Sequence, residues 1–155
     1  RTKHSPSETV TGNRYDIELA SQPDALDNYE LYDRIVDIVE NRKRLRIYSP
    51  HNDLKKFRYI AEVMEFTVTE AIPRTKGVLV HLTTITPEIQ EMFDATYLNN
   101  RPFVLFYAKG IRPFNRTNAA NIRSHGSYRG ECVYKNEEHA LKLLGKRIDE
   151  IMKIG

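Results

Sequence analysis

Apolar residues along the chain change their spacing several times, and each change predicts a new element. "YDIEL" (15–19) reads as a short strand, broken by the turn chemistry of "SQPD", after which Asp24 or Asp27 is placed to cap a helix. That helix, "ALDNYELYDRIVDIVENRKR", repeats Leu31, Ile35, Ile38 and Val39 at the helical period and ends in basic residues that suit its dipole. "LRIYS" predicts a second strand, closed by Pro50. From Asp53 to about Ile72 the spacing of Phe57, Ile60, Ala61 and Met64 predicts another helix, weakened by the β-branched "TVT" and ended by Pro73. The continuous run "GVLVHL" suits a strand covered on both faces. Thr86 and Pro87 form an N-cap and first-turn pair for a helix to about Leu98, and "PFVLFY" is a fourth strand. A long loop from Lys109 to Gly130, a fifth strand "ECVYK" and a closing amphipathic helix with Asn136 as its cap complete the reading. Residues 1–14 hold one apolar side chain, Val10, and read as a tail before one α/β domain over 15–155. Strands alternating with helices predict a five-stranded parallel sheet flanked by helices, because parallel strands need crossovers. Ligands in such sheets bind beyond the carboxyl ends of the strands.

Composition narrows this picture little. With 24 Lys plus Arg against 21 Asp plus Glu, the net charge of +3 is too small to argue nucleic-acid binding by itself. The distribution says more, since 108–130 carries Lys109, Arg112, Arg116, Arg123 and Arg129 and no acid. One cysteine, Cys132, excludes an intrachain disulfide and a multi-thiolate zinc site, and a buried inert thiol suits it. No apolar stretch is long enough to span a membrane, so the sequence predicts a soluble, cytoplasmic protein.

Three sets of residues can carry chemistry. Glu88, Glu91 and Asp94 stand three apart on the predicted helix after the third strand, close enough to feel one another. The row is either a prepared acid/base or nucleophilic group or a solvated acidic stripe. The loop "AKGIRPFNRTNAANIRSHGSYRG" interleaves arginines with Phe114 and Tyr128, a composition suited to stacking on bases while neutralising phosphate, or simply an exposed basic loop. Arg112 or Arg116 can hold a substrate phosphate there. His51 follows the second strand at the ligand edge, whereas His81 in "GVLVHL" reads as a core-edge residue. Five scattered histidines form no metal-ligand pattern, and neither a P-loop nor a glycine-rich dinucleotide fingerprint is present, so no metal or cofactor is predicted.

The succession "YDIELAS", "ELYDRIVDIVENRKRLRIYSPHNDL" and "GVLVHLTTITPEIQEMFDATYLNNRPFVLFY" resembles the nucleoside 2-deoxyribosyltransferase family and its relatives, the deoxynucleoside monophosphate N-glycosidases, over about residues 15–125. The resemblance implies a flavodoxin-like fold. It matches Glu91, four before Ala95, to the family's nucleophilic glutamate, places Thr86 where the glycosidase relatives contact phosphate, and puts Ser21 in the substrate-side turn. It implies attack on the anomeric carbon of a nucleoside or nucleotide, loss of the base, and transfer of the sugar to water or another base, with Asp94 or Glu88 tuning protonation and a homodimer as the assembly. A carboxylate suits an oxocarbenium-like transition state, because a covalent ester divides one hard step into two. Family members carry glycines before this glutamate, whereas "TTITPEIQE" has none, and Glu88 adds negative charge where a phosphate would meet the helix start. These departures keep two other readings open: a non-catalytic relative that binds nucleotide or nucleic acid through the basic loop, and a TIR-like NAD glycohydrolase.

Overall fold

The structure is a computed structural model that describes residues 14–56 and 59–154. Five strands, β1 (Tyr15–Ala20), β2 (Ile47–Tyr48), β3 (Thr75–His81), β4 (Phe103–Ala108) and β5 (Tyr128–Tyr134), form one sheet in the order β2-β1-β3-β4-β5. Every pairing is parallel. This is the predicted α/β architecture in its flavodoxin-like order. The chain builds outward from β1 to β2 and then crosses back past β1 to β3, so the direction of winding reverses between β1 and β3.

Alternation along the strands divides the core in two. Ile17, Leu19, Leu79, Val104 and Phe106 point to one face, where α1 (Tyr29–Asp37) and α6 (Glu137–Ile154) cover them. Val78, Val80, Phe103 and Leu105 point to the other, beneath α3 (Ile60–Phe66) and α4 (Pro87–Leu98). Full burial of such a side chain contributes roughly 1.5–3 kcal/mol, which explains why "GVLVHL" and "PFVLFY" are apolar without interruption. On α6, Ala140, Leu144, Ile148 and Ile151 form the packing stripe, and Asn136 caps it by accepting from the His139 N–H at 2.9 Å. The helix comes so close to β3 that a Cβ on Gly77 would lie 2.4 Å from Ile151 Cγ2.

Four details differ from the sequence reading. Neither Asp24 nor Asp27 caps α1, which is entered through a 3-10 turn, Leu26–Asn28, with Asn28 at the N-cap position making no side-chain capping bond. The helix expected over 53–72 is two: α2 (Pro50–Leu54), started by Pro50 in its first turn, and α3, which passes into a π-helical turn, Thr67–Ala71. There Thr67 and Thr69 turn their hydroxyls back onto the Val63 and Glu65 carbonyls, and Pro73 lacks the N–H to continue. The long basic loop contains a helix, α5 (Arg116–Arg123), capped by Asn115 accepting from the Asn118 N–H at 2.8 Å. Strand β5 begins at Tyr128, earlier than "ECVYK". The predicted tail falls almost wholly on 1–13, and Phe57 of the expected second helix on 57–58, both outside the described residues.

Candidate functional site

The reversal between β1 and β3 places two loops side by side at the carboxyl edge of the sheet. Gln22, just after β1, joins them: its Oε1 accepts from Thr86 Oγ1 at 2.5 Å, and its Nε2 donates to Glu88 Oε1 at 3.3 Å and to Asp24 Oδ1 at 2.9 Å. Thr86 also caps α4 by accepting from the Ile89 N–H at 3.1 Å. One hydroxyl therefore fixes both the helix start and the crevice. The carboxylate row runs outward from here. Glu88 is half-buried against Gln22, Glu91 is exposed, and Asp94 is exposed and accepts from Gln90 Nε2 at 3.0 Å. Glu91 borders none of the principal cavities. Ser21 is fully buried beneath the crevice, and its hydroxyl has no hydrogen-bond partner among the described residues.

Below this edge lies more buried polarity than the sequence suggested. Tyr32 Oη and Tyr134 Oη flank His81 at 2.7 Å from Nδ1 and 2.8 Å from Nε2. Burial pushes the His81 pKa down to about 4, so the imidazole is neutral, accepting from one phenol and donating to the other. His51 is likewise buried: its Nδ1 lies 2.5 Å from Ser49 Oγ and its Nε2 2.6 Å from Asp33 Oδ1. Burial lowers its pKa against the opposing pull of Asp33. Ser49, His51 and Asp33 line up as a hydrolytic triad would, but the hydroxyl is buried and the carboxylate exposed, the reverse of what attack on a substrate requires. With both ring nitrogens occupied, His51 ties α2 to α1. Glu18, on the face of β1 opposite Ile17 and Leu19, is completely buried with neither carboxylate oxygen hydrogen-bonded among the described residues, and burial raises its pKa well above the ordinary range.

Beyond β4 the arginines enter a second region. Arg112 and Arg116 border a cavity of about 380 Å³ together with Tyr107, Phe114 and Arg123. None of Ser21, Thr86, Glu88 or Glu91 lines it. Arg123 is engaged: its Nε and Nη2 reach Glu131 at 2.8 and 2.9 Å, while Tyr107 and Tyr128 donate to the same carboxylate at 2.5 and 2.6 Å. Burial would raise the Glu131 pKa, but these bonds outweigh it and hold it at about 2. Across Pro113 and Phe114 lies a further cavity of about 450 Å³ between α4 and α5, walled by Phe93, Tyr97, Phe114, Ile122 and His125. A third hollow, about 1110 Å³, is a charged groove between α1 and α6, on the other face of the sheet from α4 and bordered by the Lys43–Asp149 pair. Among the described residues no three His, Cys, Asp or Glu side chains are grouped to hold a metal, and no helix is long and apolar enough to cross a membrane.

No family model and no curated protein matches the sequence. Solved structures do share the fold. A CMP N-glycosidase from Clostridium botulinum superposes with a TM-score of 0.59 at 10% identity, covering 84% of this chain and 98% of that one. A conserved protein from Enterococcus faecalis V583 gives 0.53 at 19% identity, covering 86% and 98%. At these identities the likeness is one of fold.

Proposed function

We propose that the protein cleaves or exchanges the N-glycosidic bond of a nucleoside or nucleotide at the crevice between β1 and β3, with Glu91 as nucleophile. The observation that carries this reading is the Gln22 bridge, which sets the start of the carboxylate-bearing helix at the winding reversal where sheets of this order bind ligands. A fold neighbour that acts on CMP supports the substrate class. In the reaction, a Glu91 oxygen bonds to C1′ as the C1′–N bond breaks and its electron pair leaves with the base, which takes a proton from solvent. Water or a second base then attacks C1′ and frees the carboxylate. Glu88 and Asp94, one turn to either side, set the charge around it, and Ser21 and Thr86 lie on the substrate side.

Because Glu91 is exposed, the reading requires the sugar to be enclosed from above, and we assign that cover to a second copy of the chain. The test is base release from a panel of deoxynucleosides, ribonucleotides and NAD. Turnover of a nucleoside or nucleotide, lost about a thousandfold or more in a folded Glu91→Gln variant, is the expected result. No release by the wild type from any compound, or undiminished turnover in Glu91→Gln, overturns it.

A further inference from the structure

We infer that the region between α4 and α5 is a mononucleotide-binding site separate from the β1–β3 crevice, with the base in the aromatic cavity and the phosphate at Arg112 and Arg116. The cavity of about 450 Å³ has the size and apolar walls of a small-molecule site. Its aromatic walls are already arranged for planar rings: His125 stacks on Tyr97 at a centroid distance of 4.4 Å and 22° between planes, and Phe114 stands half-buried at the far side. A base entering there extends an existing stack.

Its polar groups are carboxamides. Gln90, Asn118 and Asn121 line the cavity, and no hydrogen bond is made by the side chains of Asn118 and Asn121 among the described residues. Each amide offers a donor and an acceptor, the pair that the edge of a nucleobase needs. Pro113 and Phe114 belong to both this cavity and the adjoining one of about 380 Å³, so the two are neighbours across a single ridge. In the second, Arg123 is neutralised by Glu131, but Arg112 and Arg116 have no acidic partner among the described residues. Base-sized stacking walls, free amides and unspent positive charge next door fit one chemical class. The small net charge and the two bounded hollows favour a single nucleotide over a strand.

The experiment is a calorimetric titration of the full chain with AMP, CMP, GMP and UMP, with the matching nucleosides, inorganic phosphate and a ten-nucleotide single-stranded RNA as comparators. Saturable binding of at least one monophosphate, at least tenfold tighter than its nucleoside, is expected. Arg112→Ala with Arg116→Ala should abolish the preference for the phosphate, Phe114→Ala should weaken binding about tenfold or more, and Asn121→Asp should change which base is preferred. Circular dichroism of each variant confirms folding, and amide shifts confined to α4 and α5 locate the ligand if a variant fails to fold. Nucleotide-induced amide shifts in α5, which contributes no residue to the β1–β3 crevice, report this site alone, so a failed glycosidase reading leaves it standing. No binding of any monophosphate, binding insensitive to the arginine changes, binding lost in Glu91→Gln but not in Phe114→Ala, or binding of the RNA alone overturns the proposal.

Discussion

One flank of α4 carries Glu88, Glu91 and an open crevice tied by Gln22; the other carries Phe93 and Tyr97 over a walled cavity. The acidic flank has reactive groups without enclosure, and the aromatic flank has enclosure without a nucleophile. A carboxylate in open water is well solvated and attacks poorly, whereas an aromatic slot binds but does no chemistry. Position at a winding reversal and possession of a cavity are therefore separate attributes here, and they fall on opposite sides of one twelve-residue helix.

Glu91→Gln should have the largest effect, removing glycosidic turnover by about a thousandfold while leaving thermal stability and nucleotide affinity at the α4–α5 cavity as they were. Loss of both together, measured by base release and calorimetry on one preparation, would mean the flanks form a single site.

A smaller effect concerns the strand beneath the crevice. Glu18 has both oxygens buried without partners, so Glu18→Leu should stabilise the fold by about 1–3 kcal/mol at pH 7, read from the urea midpoint. The sign of the pH dependence follows from its raised pKa. Folded protein keeps a proton that the unfolded chain releases above about 4.5, so wild-type stability falls as pH rises from there, and Glu18→Leu should flatten that slope.

On the aromatic flank the sign is opposite. Glu131, held at about 2, contributes stability that is full above about 4.5 and is lost as pH falls towards 2. Amide exchange in α5 should accelerate across that window. Arg123→Gln should reproduce the loosening at neutral pH at a cost of about 1–2 kcal/mol and weaken nucleotide binding, because α5 walls both cavities.

The smallest effects sharpen the contrast at the helix starts. Thr86→Ala and Asn115→Ala each remove a cap worth about 1 kcal/mol. Thr86→Ala also breaks the Gln22 contact, so it should slow turnover, whereas Asn115→Ala should change only nucleotide affinity; denaturation curves beside the two activity assays separate them.

The sheet was legible because strands buried on both faces must be apolar throughout, which made β3 and β4 plain in "GVLVHL" and "PFVLFY". Thr86 and Asn136 were legible as caps because a cap is a local event. Helix α5 was not, since "RTNAANIR" has only Ile122 and two alanines as apolar residues, too few to display a period. The acidic row and the arginines could be named from sequence, but their separation into different hollows depends on which side of α4 each faces. Gln22 and Glu18 gave no signal at all: a lone glutamine after a strand becomes a bridge only when β1 and β3 are neighbours, and a glutamate between Ile17 and Leu19 reads as the solvent side of a strand until tertiary packing buries that face as well. The pairing of Asn118 and Asn121 with Phe93 and Tyr97 is likewise a property of packing.

The imidazole of His81 has one proton for two phenols. If Tyr32 gives its hydrogen to the ring, Tyr134 must take one from it, and the reverse arrangement is the only other way to satisfy all three. The string thus has a sense, running either inward from α1 or inward from β5, and reversing it demands that three hydrogens shift together. A phenylalanine at either end would leave one ring nitrogen without its phenol, and the single remaining link would no longer tie α1 to β5 through the ring.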